Sequence, residues 1–253
     1  MKKRNGFDVW TVLNQLIRLA KEARTNDVPP PAHRLLLIGP PSTGKSRFAE
    51  DVAKSMGMMF EDVTCYGQQP VDAIIGSKTL EGSAGAVVTG KQDGKAIRCM
   101  VAQEGGVLVI NEINLRSADL EGVLYAILDD KAHITDADGN EVYANHGFMV
   151  IATTNATPAE LPEAIVDRFD VVLRVTKPNP AIYDAEGLTD AERKFCDNSY
   201  DVVADKWAWS AHAYMRTFLA FKRLCRHFDP ETAAFMCFGD MAPEVLSQLA
   251  SLS

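Results

Sequence analysis

The chain has 253 residues, of which 47% are hydrophobic and 24% are charged, and its net charge is −8. This length suits one large domain with a smaller one, and the composition is that of a globular protein. The acidic balance disfavours a broad nucleic-acid-binding face, although a local basic groove remains open.

Membrane and export signals are weak in this sequence. No apolar run approaches the roughly 20 residues that a helix needs to span a bilayer. The basic start at Met1–Arg4 is not followed by a continuous apolar stretch, so we expect no secretory signal. The five cysteines are scattered without a C-x-x-C pair, which predicts reduced, packed thiols in a cytoplasmic protein.

The first predicted element is an amphipathic helix. Apolar residues recur there at the i, i+3, i+4, i+7 spacing of one helical face, at Val9, Val12, Leu13, Leu16, Ile17 and Ala20. Three prolines at 29–31 then impose an extended connection. The sequence leaves two placements of this helix open, one on its own core and one against a neighbouring subunit.

The segment GPPSTGKS at Gly39–Ser46 is the most informative motif. It follows the apolar run Leu35–Ile38 and precedes a helical stripe that ends at Gly57, which is the strand–loop–helix context of a phosphate-binding loop. Glycines let backbone N–H groups converge on a phosphate at a helix N-terminus. Lys45 would reach the β- and γ-phosphates, and the Ser46 hydroxyl would face Mg²⁺.

After this loop, apolar strands alternate with helices. Strands are predicted at 59–63, 107–110, 148–152 and 171–175, with a helix capped by Ser117 and a short helix at 159–166. Near-continuous apolar strands separated by helices indicate an α/β fold with a parallel sheet covered on both faces.

Two segments interrupt this alternation. Residues 76–94 are glycine-rich and predict an inserted loop or hairpin, and Asp138–Gly139 is a hairpin-turn signal within residues 132–147. Asp136, Asp138 and Asn140 resemble the start of a calcium loop. However, the required glycine and terminal glutamate are misplaced, so we interpret this segment as a turn.

Lys177–Pro180 predicts a domain boundary, after which the pattern is helical. A capping box is expected at Thr189 and Glu192, and a last helix near Pro243. The predicted domains are therefore an N-terminal helix and linker (1–33), a nucleotide-binding α/β domain (34–176) and a small all-helical lid domain (177–253).

The second motif is a buried strand that ends in Asn111–Glu112. This is the Walker B arrangement, in which the first side chain helps to hold Mg²⁺ and the second acts as general base on the attacking water. Asn111 offers an oxygen but lacks the negative charge that favours Mg²⁺. The alternative interpretation is a capped strand end without chemistry.

Two further polar residues follow the later strands. Asn155 ends Ala152–Thr154, where an amide can orient the lytic water near the γ-phosphate, although Asn is also a common turn residue. Arg168 precedes the last strand and could reach a neighbour's γ-phosphate; Arg116 and Arg174 are lesser candidates. The alternative for Arg168 is a surface ion pair with Asp167 or Asp170.

Together these residues resemble the AAA+ ATPases, and within them the MoxR-like group that includes the CbbQ, NorQ and GvpN ATPases. GPPSTGKS matches the Walker A motif, and NEIN at 111–114 matches the group's DEIN apart from its first residue. ATTN at 152–155 matches sensor 1, and AIVDRF at 164–169 matches the arginine-finger segment. The segments at 76–94 and Asp138–Gly139 match the helix-2 insert and the pre-sensor-1 hairpin.

The resemblance implies a P-loop fold and a ring, usually a hexamer, with ATP and Mg²⁺ bound between subunits. It implies an ATPase that remodels or activates a protein partner, often a metalloenzyme or a protein with a von Willebrand factor A domain. Catalytic roles fall on Glu112, Asn155 and Arg168, and metal contacts on Ser46 and Asn111. The expected nucleotide-binding residues are Gly39, Pro40, Pro41, Ser42, Thr43, Gly44, Lys45, Ser46, Phe48, His212 and Arg216.

Two departures from the family pattern matter. Asn111 replaces the usual Asp, which affects the expected rate of hydrolysis. His212 stands at the sensor-2 position, where the family has an arginine; a histidine is only partly charged near neutral pH, and Arg216 could substitute for it. A helix-surface histidine is the alternative interpretation of His212.

Two alternative functions remain. The first is a nucleotide-dependent assembly or scaffold module that turns ATP over poorly, which Asn111 motivates. The second is an NTPase subunit of a nucleic-acid machine, similar to the McrB GTPases, in which Lys78, Lys91, Lys95 and Arg98 would line a pore. The acidic net charge makes this second alternative less favoured. A small-molecule kinase is less favoured still, because it would leave Asn155 and Arg168 without a role.

Overall fold

A computed structural model describes residues 8–26, 32–83, 86–204 and 215–252. The chain divides into two compact units. The first unit contains the residues up to Ile38 together with Ser46–Arg174, and the second contains Gly39–Lys45 together with the residues from Val175 onward.

The strands, in chain order, are β1 Arg34–Ile38, β2 Met59–Thr64, β3 Gly76–Ser83, β4 Ala86–Asp93, β5 Gly106–Asn111, β6 His133–Thr135, β7 Glu141–Tyr143, β8 Met149–Thr154 and β9 Val171–Arg174. The helices are α1 Val9–Thr25, α2 Lys45–Met56, α3 Asp72–Ile75, α4 Lys95–Val101, α5 Ala118–Ile127, α6 Glu163–Val166, α7 Pro180–Ala185, α8 Asp190–Ala204, α9 Met215–Leu224, α10 Pro230–Phe238 and α11 Ala242–Leu252. Single 3₁₀ turns occur at Ile113–Leu115, Pro158–Glu160 and Gly239–Met241.

The core of the first unit is a five-stranded parallel sheet with the order β2-β5-β8-β1-β9. Leu36, Val109 and Ile151 of its three central strands are fully buried. This pattern confirms the predicted α/β fold, because a parallel sheet is covered on both faces and its strands are apolar throughout. The register brings Ile38 opposite Thr154 and Ile110 opposite Ala152, so the carboxyl ends of β1, β5 and β8 meet at one edge.

Helix α1 packs on the core of its own chain, which is one of the two placements that the sequence left open. The Asp8 carboxylate caps it by accepting a hydrogen bond from the Thr11 N–H. Trp10 is buried, and its ring lies 5.8 Å from that of Phe48 in α2. Among the described residues, no helix combines the length and apolar character needed to cross a membrane.

The two segments that interrupt the alternation are both antiparallel hairpins, as predicted. The first pairs β3 with β4 and the second pairs β6 with β7. In the second turn, Asp136 Oδ1 accepts hydrogen bonds from the N–H groups of Asp138 and Asn140, and Asp136 Oδ2 accepts one from Lys91. The carboxylate therefore stabilises a turn and an ion pair, which agrees with the turn interpretation.

The short helix predicted at 159–166 is divided in two. A 3₁₀ turn at Pro158–Glu160 is followed by α6, which begins only at Glu163. Pro162 explains the break, because proline lacks a backbone N–H and restricts the residue before it.

The second unit contains the C-terminal helices, as the sequence predicted. The Thr189 N–H donates to Glu192 and the Glu192 N–H donates to the Thr189 hydroxyl, which is the predicted capping box at the start of α8. The core of this unit is aromatic, and the rings of Phe195 and Phe218 lie 5.4 Å apart in a tilted arrangement. Ala211 and Tyr214, whose spacing with Met215 predicts one face of a helix, lie outside the described residues.

All five cysteines are free thiols, as predicted. Cys65, Cys99 and Cys196 are buried, and burial raises the pKa of the Cys65 thiol to about 11 and that of Cys99 to about 12. Such thiols stay protonated near neutral pH and serve as small packed side chains.

A partly buried ion pair joins the edge strand to the rest of the sheet. The Arg34 side chain is 13% exposed and donates to Asp170 Oδ1, while Asp170 Oδ2 accepts the backbone N–H groups of His33 and Arg34. Burial alone raises the pKa of the Asp170 carboxyl, but the hydrogen bonds from Arg34 and from the two backbone N–H groups outweigh it, and the pKa is lowered.

We expect Asp170→Asn to lower the free energy of unfolding by about 2 kcal/mol at pH 7, because Asn cannot satisfy all these donors and leaves the Arg34 guanidinium with the exposed Asp130 as its charged partner. A carboxyl whose folded pKa is depressed stabilises the fold above its unfolded pKa of about 3.9 and loses that stabilisation as the pH falls through the folded pKa. Urea unfolding from pH 7 to pH 3 should therefore show the parent and the variant converging below about pH 4. A constant difference across that range would contradict this assignment.

Candidate active site at the carboxyl edge of the sheet

The loop after β1 adopts a backbone that few residues tolerate. Ser42 and Gly44 both have positive φ angles, of 62° and 90°. At Gly39 a β-carbon would lie 1.9 Å from the Val175 carbonyl oxygen, so only glycine fits there. The Thr43 hydroxyl closes the loop by donating to the Pro40 carbonyl at 3.1 Å. The glycine-rich motif is therefore needed for the shape of the loop.

Lys45 lies at the end of this loop and is almost fully buried, at 7% exposure. Its ammonium donates to the carbonyl oxygens of Gly39 at 2.9 Å and Pro40 at 2.7 Å. The loop thus holds a positive charge among its own backbone carbonyls. Phosphate oxygens carry negative charge and are stronger acceptors than these carbonyls, so an ammonium placed here suits phosphate binding.

The next residue, Ser46, is hydrogen-bonded to the end of β5. Its hydroxyl donates to Asn111 Oδ1 at 2.6 Å, and the Thr153 hydroxyl of β8 donates to the same oxygen at 3.0 Å. The sequence predicted that Ser46 and Asn111 lie together. It did not predict Thr153 as their common neighbour, although Thr153 lies within the ATTN segment.

Glu112 follows Asn111 in a left-handed backbone conformation, with φ of 52°. This conformation is uncommon for a residue with a side chain, and such outliers cluster at functional sites. Glu112 Oε1 accepts a hydrogen bond from Asn155 Nδ2 at 2.8 Å. The structure therefore brings together the two residues that the sequence proposed as base and water-orienting amide.

A third contact supports this edge. The Thr154 hydroxyl donates to Asn114 Oδ1 at 2.8 Å and accepts the Ala156 N–H at 3.0 Å. The ends of β5 and β8 are thus joined by three side-chain bridges, through Asn111, Glu112 and Asn114. Rigid support of this kind favours catalysis, because the reacting groups need little reorganisation.

The donor set at Asn111 suits Mg²⁺ in part. Ser46, Asn111 and Thr153 offer only oxygen atoms, which is the ligand type that Mg²⁺ prefers. Within the described residues, no group of three or more His, Cys, Asp or Glu side chains could hold a metal ion alone. Most of the negatively charged ligands of a Mg²⁺ ion at this position would be phosphate oxygens.

Arg168 has a defined environment after α6. Its Nη1 donates to the Ala164 carbonyl at 2.6 Å, and its guanidinium carbon lies 4.8 Å from the centre of the Tyr125 ring. Asp170, one of the two partners named in the ion-pair alternative, is hydrogen-bonded instead to His33 and Arg34. Arg116 is 10% exposed and is paired with Glu121, so it is held within its own chain.

The other predicted nucleotide-binding residues have less specific surroundings. The Phe48 ring packs against Trp10 in the core, so any contribution of Phe48 to nucleotide binding would come from its backbone. Arg216 is exposed on α9. His212 lies outside the described residues.

The comparisons with known proteins agree with this geometry. Residues 34–169 match the AAA domain family, dynein-related subfamily, and the chain belongs to this family. Proteins of this family bind nucleotides, typically with Mg²⁺, and the fold and the family match place this chain among the AAA+ proteins.

The sequence relatives are uncharacterized bacterial proteins. One from Staphylococcus saprophyticus is 29% identical over 68% of this chain and 64% of its own length. YojN of Bacillus subtilis is 30% identical over 54% of this chain and 46% of its own length. The chain thus spans about half to two thirds of the length of these relatives. A crystal structure of a protein from Cytophaga hutchinsonii is 20% identical, with a TM-score of 0.49, over 68% of this chain and 47% of that one.

Proposed function

We propose that this chain is an ATP-hydrolysing AAA+ ATPase of the MoxR-like type, which assembles into a ring and remodels or activates a protein partner. The observation that carries the proposal is the 2.8 Å hydrogen bond from Asn155 Nδ2 to Glu112 Oε1. It holds a carboxylate and an amide at the strand ends, next to the residue pair Ser46 and Asn111.

The proposed chemistry is attack of water on the γ-phosphorus. A Glu112 carboxylate oxygen accepts a proton from the water while the water oxygen forms a bond to the γ-phosphorus. The bond between the γ-phosphorus and the bridging oxygen breaks, and ADP is released. Asn155 holds the Glu112 carboxylate in place, and its amide would orient the water. Lys45 donates to the phosphate oxygens, and Ser46 with Asn111 would hold Mg²⁺, which neutralises charge on those oxygens.

The ring is part of the proposal because Arg168 is held on the surface of its own chain by Ala164 and Tyr125. A guanidinium held in this way can stabilise the γ-phosphate of a neighbouring subunit. A hexamer and a partner with a von Willebrand factor A domain are the family-based expectations. The N–H groups that cradle phosphate would come from the loop at 39–45.

The test is the rate of ATP hydrolysis per chain, measured across a wide range of protein concentration together with particle size. We expect the rate per chain to fall as the particles dissociate, because a monomer lacks the arginine of its neighbour. A rate per chain that stays constant while the particles become monomeric would contradict the shared site. Affinity capture with ATP present would then search for the protein partner.

A second candidate function is a nucleotide-dependent assembly module with slow turnover. The specific observation is that Asn111, a neutral amide, receives the hydroxyl groups of both Ser46 and Thr153 where the family has an aspartate. Without that negative charge, Mg²⁺ is held more weakly.

We expect Asn111→Asp to raise ATP turnover about tenfold or more, which corresponds to roughly 1.4 kcal/mol of transition-state stabilisation. The carboxylate has the same shape and still accepts both hydroxyl donors, so the fold should not change. The half-saturating Mg²⁺ concentration should fall as well. If the native chain already hydrolyses ATP fast, and Asn111→Asp leaves this rate unchanged or lowers it, the slow-turnover candidate is contradicted.

The nucleic-acid machine loses its main support, because its four basic residues lie in ion pairs within the chain. The Lys78 ammonium lies 3.3 Å from Asp138 and that of Lys91 lies 2.7 Å from Asp136. The remaining two pairs are Lys95 with Asp62 at 3.8 Å and Arg98 with Glu61 at 2.8 Å. Neutralised side chains offer little attraction to a phosphate backbone.

A further inference from the structure

Helix α5 carries a hydrogen-bonded row of side chains on one face. Arg116, just before the helix, donates to Glu121 Oε2 through Nε at 3.0 Å and through Nη2 at 2.7 Å. The Tyr125 hydroxyl, one helical turn beyond Glu121, donates to Glu121 Oε1 at 2.6 Å. Both carboxylate oxygens are thus used, and the orientation of the Tyr125 ring is fixed by the hydroxyl at its end.

The face of this ring carries Arg168. The guanidinium carbon lies 4.8 Å from the ring centre, which is within the range of a cation–π contact. The Ala164 carbonyl binds Nη1 at 2.6 Å. The guanidinium is therefore held by two contacts that are both neutral, whereas a carboxylate partner would neutralise its charge.

We infer that Tyr125 is a positioning residue for Arg168 and sets the orientation in which its guanidinium meets the nucleotide of the next subunit. This inference rests on the proposed function, because it assumes that Arg168 acts on a neighbour. Lost contact with the ring would let the long arginine side chain occupy other rotamers, and the fraction of time in the productive orientation would fall.

The experiment compares turnover, KM and thermal unfolding for the parent, Tyr125→Leu and Tyr125→Phe. Removal of the ring in the leucine variant should lower kcat about 5- to 30-fold, the range that a cation–π contact of this size supports. Affinity for nucleotide should not change, because the role inferred for Tyr125 is exerted through Arg168 in the transition state. The phenylalanine variant keeps the ring but loses the hydrogen bond to Glu121 that fixes its orientation, so its turnover should lie between that of the parent and that of the leucine variant.

Arg168→Ala provides the reference that separates the two ideas. If this variant hydrolyses ATP as fast as the parent, then Arg168 has no catalytic role and the shared site of the proposed function fails. If it is impaired while Tyr125→Leu has full activity, only the positioning role of Tyr125 fails. The double variant should be no slower than Arg168→Ala alone, because Tyr125 acts through Arg168. A further fall in the double variant would overturn the inference.

A mixing experiment measures an effect on a neighbouring subunit, which a purely structural role of Tyr125 would not produce. An excess of Glu112→Gln chains, with or without Tyr125→Leu in the same chain, is added to a fixed amount of the parent. Turnover then comes from parent chains, whose arginine is supplied by the added neighbours. We expect chains carrying Tyr125→Leu to lower this turnover, and equal rates would contradict the inference. Tyr125→Met replaces the leucine variant if that variant unfolds.

Discussion

Glu112→Gln should lower ATP turnover by about 10²- to 10⁴-fold while nucleotide affinity stays within a few-fold of the parent, since this is the range that a positioned general base contributes. Glutamine has the shape of glutamate, and its amide oxygen can still accept the Asn155 hydrogen bond that is 2.8 Å long in the parent. The change therefore removes the proton acceptor without removing the local structure. Phosphate release under saturating ATP measures the rate, and a fluorescent nucleotide measures the affinity.

The matched control is Glu50→Gln on α2. This carboxylate is 44% exposed and pairs with Lys54 one helical turn away, a contact that is worth only a few tenths of a kcal/mol. We expect no effect of this control on turnover. Turnover in Glu112→Gln that equals the rate of the control would show that another group accepts the proton, and the proposed mechanism would then be wrong.

The parts of the fold that depend on local pattern could be predicted from the sequence. The apolar runs at Leu35–Ile38 and Val107–Ile110 require burial on both faces, and a parallel sheet is the structure that provides it. Turn chemistry at Asp138–Gly139 and the capping box at Thr189 and Glu192 are equally local, and both form. The polar residues that follow β5 and β8 meet because parallel strands end at the same edge of the sheet.

Side-chain contacts away from this edge of the sheet could not be predicted in this way. Helix α4 has only seven residues, of which four are buried, so it shows too little periodicity to be distinguished from a strand or loop. The contact between Tyr125 and Arg168 joins residues 43 positions apart, through a ring orientation that Glu121 and Arg116 set. Likewise, the spacing of the basic residues at 78–98 did not predict their acidic partners. A side-chain network of this kind depends on packing, which composition and spacing do not encode.

Arg168→Ala should lower turnover by roughly 10³- to 10⁵-fold in the assembled protein, the range that arginine fingers supply in phosphoryl transfer. Its guanidinium is bound to the Ala164 carbonyl and the Tyr125 ring, and neither contact contributes to the core. Folding, assembly and nucleotide affinity should therefore persist. The rate is measured at a protein concentration where particle size shows full assembly. Arg18→Ala, which removes a 72% exposed arginine of α1, is the control and should be silent.

Subunit mixing then decides whether the arginine acts within its own chain or across an interface. Glu112→Gln chains keep the arginine but lack the base, and Arg168→Ala chains keep the base but lack the arginine. If the site is shared, an Arg168→Ala chain receives an arginine from a Glu112→Gln neighbour, so a mixture of two inactive proteins regains part of the parent turnover. If each chain uses its own arginine, no interface can repair either defect, and the mixture stays at the weighted sum of the two separate rates. The second result would mean that catalysis does not require the ring, because all groups that act on the phosphate would then come from one chain.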